Sequence, residues 1–443
     1  MTAQLFILRS LTRIGFLIMI ESYWERRMLF MGTSTYKNTL YACYQGYITQ
    51  AIVNNLAPLL FVIFQQQFHL TYEMVGRLIL INFTTQIIAD IAATRYSDRI
   101  GYRKAVVLAH LFCDTGLILL GLLPLVMPTS YWALAIAVVI YAIGGGIIEV
   151  LISPIVESLP GEAKASAMSL LHSFYCWGQV GVVLVTTVLL KMIGPHYWYL
   201  LPIMWSIIPL INMYNFTRVP LRDPVPDTER IPGNKLLRNS GFWVALLLMA
   251  CAGASELTMV QWSSLFAEQG LGVPKILGDL VGPCLFAVLM GIGRTLYGWY
   301  GQKLRIERAL LVSSLFCTFC YAVTIFSPYP LISLLGCALC GLSVSLMWPG
   351  TLSLTAARIP RGGTLMFGLL AIFGDVGAAI GPWTAGIVSD YAAHSTILKS
   401  PELGLKAGLG VVMIFPILMI IGILLLKKAN NNENVKQMTS PAI

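Results

Sequence analysis

Polar and apolar positions in this chain segregate on the scale of whole helices. Twelve stretches are apolar over roughly 18 or more residues, the length needed to cross the hydrocarbon core of a bilayer. They run at about 39–64, 74–94, 104–126, 131–157, 165–192, 197–216, 240–266, 279–299, 307–327, 330–356, 363–388 and 404–426. The connections are short and polar, with one exception. The segment from Thr217 to Asn239 carries Arg218, Arg222, Asp223, Asp227, Glu229, Arg230, Lys235, Arg238 and four prolines. It divides the runs into six and six, as a duplicated half would. The pattern predicts an all-α membrane protein with a leader (1–38), a first six-helix bundle (39–216), a linker (217–239), a second bundle (240–426) and a tail (427–443). Residues 1–30 are basic and partly apolar, with no small-residue cleavage site, and Ile14–Ile20 is too short to span. Met31 opens an ordinary lead into the first helix, so Met1 and Met31 both read as starts.

Composition agrees with this pattern. Of 443 residues, 57% are hydrophobic and 11% charged, against about 25% charged in soluble domains. The net charge of +9 is not spread evenly. If both termini are cytoplasmic, 23 of the 29 Lys and Arg lie in cytoplasmic segments, five lie outside, and Arg294 lies within a helix. That bias fixes the orientation without invoking nucleic acid, and places the chain as a multi-pass protein of the plasma (inner) membrane. The nine cysteines lie mostly inside helices, so they form no disulfide framework. Cys317-x-x-Cys320 and Cys337-x-x-Cys340 match a zinc spacing, but they sit in apolar helices without nearby His, Asp or Glu. No G-x4-G-K-[ST] phosphate loop, Ser-His-Asp arrangement or H-E-x-x-H occurs, so no metal, cofactor or ATP site is read and an enzyme is not the expectation.

The chemistry lies in the few ionisable groups within the runs. In YAIGGGIIEVLISP, Tyr141 to Pro154, Glu149 stands alone in an apolar helix, at a cost of at least a few kcal/mol. Gly144, Gly145 and Gly146 let neighbours approach closely, and Pro154 weakens the helix beyond the acid. Glu256 and Asp375 are the next acids, and the three are read as candidates to carry a coupling proton. Asp375 opens GDVGAAIGPWTAG, in which Gly377 and Gly381 read as a packing pair; its expected partners are the cavity or Arg294. Arg294 reads as a charge at the interface of the halves. Asp114 has His110 one turn before it, an i, i+4 pair able to satisfy both locally. Asp90 lies near the inner end of the second helix.

Two segments echo each other at an offset of 204 residues, Tyr96-SDRIGYRKA and Tyr300-GQKLRIERA, each after the second helix of its half. Two six-helix halves in parallel repeat resemble the major facilitator transporters. Ser97-Asp98-Arg99-Ile100-Gly101-Tyr102-Arg103-Lys104 is similar to the superfamily's loop motif G-x-x-x-D-R-x-G-R-R/K, with Thr94 in place of its first glycine. That resemblance implies a conformational role for Asp98, Arg99 and Arg103, with Asp98 near the start of the eleventh helix. Within the superfamily, Ala51-IVNNLAPLLFVIFQQQFHLT, Gly145-GIIEVLISP, Met168-SLLHSFYCWG and Gly253-ASELTMVQW resemble the fucose permease branch, whose members take up hexoses and deoxyhexoses with protons. Pro58 stands where that branch's fucose transporters carry an acid.

A sugar requires amides or carboxylates for its hydroxyls and an aromatic plane for its ring. Asn54 and Asn55, His172, Tyr175 and Gln179 at i, i+3 and i+7 on one helix face, Gln261 with Trp262, and Trp348 before Pro349 supply that set. The expectation is a monomeric secondary transporter of a small polar solute, a sugar taken up with protons. Export of amphiphilic compounds, a non-transporting sensor and an intramembrane enzyme are the alternatives.

Overall fold

Hydrocarbon offers no partner to a free N–H or C=O, so each apolar run must satisfy its backbone within itself. In the computed structural model, which describes residues 36–128, 130–159, 164–221, 233–300, 305–359, 363–394 and 400–439, every run is a helix. The first half comprises α1 (Lys37–Leu59, continued as Phe61–Phe68), α2 (Tyr72–Ile100), α3 (Tyr102–Val126), α4 (Tyr131–Ser158), α5 (Lys164–Ile193) and α6 (Leu200–Trp205, continued as Ile207–Arg218). The second comprises α7 (Ser240–Leu265), α8 (Lys275–Asp279, resuming as Leu285–Tyr300), α9 (Ile306–Phe326), α10 (Pro330–Val344, continued as Met347–Arg358), α11 (Gly363–His394) and α12 (Pro401–Val412, continued as Ile414–Thr439). Eleven are long and apolar enough to cross a membrane, and α1 is the twelfth when its two pieces, bent by 49°, count as one span. The leader 1–30 with Met31, and residues 222–232 of the linker, fall outside the described residues.

The breaks have chemical causes. Pro58 has no N–H, so the carbonyl of Asn54 loses its helical donor, and α1 bends two residues later. α7 ends in a π turn, Phe266–Gly270, and a second π turn, Leu280–Cys284 with Pro283 inside, interrupts α8. By contrast, α4 runs unbroken through Pro154. The tail expected from 427 onward begins as helix: α12 continues to Thr439, where helix-forming Lys, Glu and Gln replace the apolar run.

Adjacent residues point about 100° apart on a helix, and the glycine triplet of α4 uses this to meet three neighbours. A Cβ at Gly144 would strike the Ala109 carbonyl and Cys113 of α3. At Gly145 it would lie 3.0 Å from Gln50 of α1, and at Gly146 2.6 Å from the Gln86 carbonyl of α2. The α7–α11 crossing is as tight: a Cβ at Gly377 would land on the Ala250 carbonyl, and one at Gly381 2.6 Å from Thr258 Oγ1.

Consecutive helices alternate in direction, so the starts of α1 and α7 and the ends of α6 and α12 share one end, here the terminal end. The halves meet where α2 packs on α11 and α5 on α8. At the far end they are joined closely. Tyr72 donates to Gln269 (2.8 Å), which donates to Gln65 (2.8 Å). Trp383 donates to Glu73 (3.3 Å), and Thr187 to Asp279 (2.9 Å). A Cβ at Gly386 of α11 would sit 2.7 Å from the Tyr72 carbonyl, so the two backbones touch there. The far end is closed.

The pairing expected between His110 and Asp114 does not form. The His110 ring is occupied by the Val106 carbonyl and Asn212, both at 2.8 Å, while Asp114 turns to Ser206. Both side chains therefore tie α3 to α6. Asn212 also donates to the Ala42 carbonyl (3.0 Å), adding α1 to the same joint.

Candidate solute and proton site between the halves

Asn54 and Asn55, adjacent on α1, diverge. Asn54 Oδ1 accepts from Gln86 (2.7 Å) and Asn82 (3.2 Å) of α2. Asn55 donates to the Ala51 carbonyl (2.9 Å) and to the Tyr175 hydroxyl of α5 (3.3 Å). One turn before Asn54, Gln50 donates to Gln86 Oε1 (2.8 Å) and to Glu149 Oε2 of α4 (3.0 Å). A continuous amide chain, Asn82–Asn54–Gln86–Gln50, thus leads from α2 through α1 to the acid of α4. Glu149 is partly exposed, whereas the four amides are buried. Among the described residues no arginine or lysine pairs with Glu149; its partner is the Gln50 amide, which binds the neutral or the charged carboxyl.

Glu256 has a different partner. Arg294 of α8 lies 3.3 Å from both carboxyl oxygens and donates to Cys176 Sγ of α5 (3.4 Å). This ion pair sits where α5 and α8 bring the halves together. Asp375 does not take Arg294, one of its two expected partners. It hydrogen-bonds Asp90 of α2 instead, and both aspartates are buried.

His172 stacks edge-on against Tyr47 of α1 (centroids 5.2 Å), and the Tyr47 hydroxyl meets Ser153 (3.0 Å). Gln179, on the same face of α5, is buried with Nε2 unpartnered. Gln261 of α7 is likewise buried with Nε2 unpartnered, and it lines a small pocket with Asn54, Asn82, Pro58 and Tyr141. That pocket therefore draws on both halves, and Pro58 faces it. Trp262 donates to the Pro382 carbonyl (3.1 Å) and packs near Tyr72, in the closed far end. Trp348 is partly exposed and lies against Gly374, where a Cβ would strike the indole.

The loop residues separate. Arg103 donates to the carbonyls of Phe216 (2.6 Å) and Val219 (2.8 Å), a cation on the last turn of α6 within one half. Gly101 has φ +87°, a conformation L side chains rarely adopt, and starts α3. The side chains of Asp98 and Arg99 lie outside the described residues. The zinc-spaced cysteines pack as buried free thiols, Cys317 and Cys340 3.8 Å apart.

Gln50, Asn82 and Gln86 were not singled out from sequence. A signal was present: Asn82, Gln86 and Asp90 recur every fourth residue, a polar stripe down one face of α2, and Gln50 precedes Asn54 by four.

Solved structures share this architecture. A D-xylose–proton symporter superposes with a TM-score of 0.72 at 13% identity, covering 89% of this chain and 97% of its own. A bacterial homolog of the human lysosomal transporter Spinster, inward-facing and occupied, gives 0.71 at 15% identity over 90% and 98%. The E. coli fucose:proton symporter gives 0.59 at 17% identity over 87% and 99%. At these identities the likeness concerns the fold alone. No curated protein matches the chain's sequence. The sequence itself carries the family: residues 46–382, most of both halves, match the Major Facilitator Superfamily, and with twelve helices in two bundles the chain belongs to that superfamily of membrane transporters.

Proposed function

We propose that this transporter moves a small polyhydroxylated solute, a sugar, together with protons, and that Glu149 carries the coupling proton. The observation that carries the reading is the chemistry of the buried amides between the halves. Gln179 and Gln261 have donors without partners, and Gln50 and Asn82 have acceptors without partners. An unmade buried hydrogen bond costs about 1–3 kcal/mol. A hydroxyl both donates and accepts, so a polyol satisfies such a mixed set where a purely apolar or purely anionic solute does not. The partly exposed indole of Trp348 and ring of Tyr175 supply planes for a sugar's apolar face. The likeness in fold to a xylose–proton and a fucose:proton symporter is consistent with it.

Glu149 suits the proton because it is reachable and because its neighbour is neutral. Protonation is then felt through Gln50 and Gln86 to Asn54 at the pocket, so solute and proton share one hydrogen-bonded chain. The excess of Lys and Arg at the terminal end supports a cytoplasmic position for that end, and with that orientation the closed far end supports reading this as an inward-facing state.

The test pairs two vesicle assays on purified protein, after a thermal-shift screen of sugars has chosen the solute. Glu149→Gln keeps the shape and the contact with Gln50 but cannot titrate. It is expected to abolish accumulation driven by a pH gradient and to spare counterflow, which needs no net proton movement. Accumulation by the mutant under a pH gradient alone would place the proton elsewhere. A wild type indifferent to the gradient would make the protein a uniporter or a transporter coupled to another ion.

A further inference from the structure

The contact between Asp90 and Asp375 is chemically incomplete as drawn by two ionised groups. Each residue is 3% exposed, and their side chains hydrogen-bond across the seam between α2 and α11. Neither Asp90 Oδ1 nor Asp375 Oδ2 receives a hydrogen bond from any donor. Asp90 is also confined from behind: a Cβ at Gly146 of α4 would lie 2.7 Å from Asp90 Oδ1. Two carboxylates cannot hydrogen-bond each other, because neither has a donor. Held together out of water, they repel strongly unless one proton lies between them or a cation neutralises them.

Among the described residues, no cation lies beside the pair. From α4 the pair faces Glu149, another acid. On α7, Glu256 is engaged by Arg294. On α3, His110 turns to Asn212 and Asp114 to Ser206. Arg358 of α10 is held by Glu307, and Lys406 of α12 by Glu402. Among the described residues, no three His, Cys, Asp or Glu gather closely enough to hold a metal ion.

We propose that Asp90 and Asp375 are a proton-sharing pair that latches the first half of the molecule to the second, so that closure of α2 on α11 takes up one proton besides the one assigned to Glu149. The balance is simple: two carboxylates and one proton give one carboxylic acid donating to one carboxylate, and no other bond changes. Loss of that proton leaves two adjacent anions on opposite halves, and their repulsion parts α2 from α11. Gly146 sets the geometry by leaving room for Asp90 to reach the seam. The inference extends the proton-coupled reading above to a second site, one that acts on the conformational change and does not touch the solute.

The experiment measures the α2–α11 distance against pH. Spin labels at Tyr96→Cys and Phe367→Cys use exposed positions on the two helices, and the nine native cysteines are all buried. In the otherwise unaltered protein the inter-label distance should lengthen as pH rises. In Asp90→Asn and in Asp375→Asn, an amide donates to the remaining carboxylate without an added proton, so the short distance should persist at every pH. Glu149→Gln should keep the pH-dependent lengthening even as it loses gradient-driven accumulation, which separates the two sites. If Glu149→Gln still accumulates solute while Asp90→Asn abolishes the lengthening, the assignment of Glu149 falls and the pair stands. The pair is overturned if the unaltered protein shows no lengthening, or if both aspartate variants retain it.

Discussion

The acids of the interior differ in what holds them, and their expected behaviour differs accordingly. Glu256 sits against Arg294, with side-chain exposures of 7% and 13%, so each is the other's counter-charge in a medium that penalises both. Removing one partner of such a pair costs about 3–5 kcal/mol, because the remaining charge stays buried. Arg294→Met should therefore lower the melting temperature in detergent sharply at alkaline pH. The loss should shrink in acid, where Glu256 can take up a proton and cease to be a charge. Glu256→Gln combined with Arg294→Met should recover much of the loss, since neither charge remains. Intrinsic fluorescence melts across pH would check this, and an Arg294→Met protein as stable as wild type would show that the pair is not a structural tie. That Glu149, Glu256 and Asp375 stand within apolar runs is legible in the sequence, because a carboxylate there is conspicuous. Their partners are not legible. Gln50, Asp90 and Arg294 come from other helices, and only the tertiary arrangement decides which faces meet.

At the scale of elements, the runs translate into helices with ends shifted by a few residues, since length and apolarity are set by the bilayer. What the runs do not disclose is where a helix breaks. Proline alone does not decide it: Pro58 precedes a 49° bend in α1, whereas Pro154 lies within an unbroken α4. Neighbouring glycines are more informative, because a missing Cβ marks where another backbone comes near. Gly386 of α11 lies against the Tyr72 carbonyl, and Gly76 of α2 against the Pro382 carbonyl, where a Cβ would be 3.2 Å away. This contact exists only with the far end closed. Gly386→Val should force α2 and α11 apart there at a cost of about 1–3 kcal/mol. Such an energy shifts a two-state balance by about 5–150-fold. The expected outcome is faster reaction of an impermeant thiol reagent, applied from the far side, with a cysteine at Leu78, which lines the pocket and is 2% exposed. An unchanged labelling rate would mean that the closed far end does not depend on this crossing.

For the whole molecule, exposure between the halves is confined to particular side chains. Gln179, Gln261 and Trp262, deeper toward the far end, are 1–2% exposed, whereas Glu149, His172, Tyr175, Arg294 and Trp348 keep partial exposure. Together with the hydrogen bonds that close the far end, this partial exposure is what an interior reached from the terminal end would show. The chain's duplication explains how one such state implies another. α2 with α11, and α5 with α8, are equivalent contacts, each pairing the second helix of one half with the fifth of the other, so rocking one half on the other exchanges which end is closed. A cysteine at His172, on a face of α5 turned toward α1, reports that exchange. In membranes held without solute, an impermeant thiol reagent should label His172→Cys when applied to the terminal face and much more slowly when applied to the far face. Adding Gly386→Val, which opposes closure at the far end, should reverse the preference. Bound solute should protect the cysteine from either side, because His172 stands beside Tyr47 and one turn from Tyr175, at the edge of the amide chain. Equal labelling from both faces, unaffected by Gly386→Val, would mean that the interior is an open passage and that the closed far end is not a state in a transport cycle.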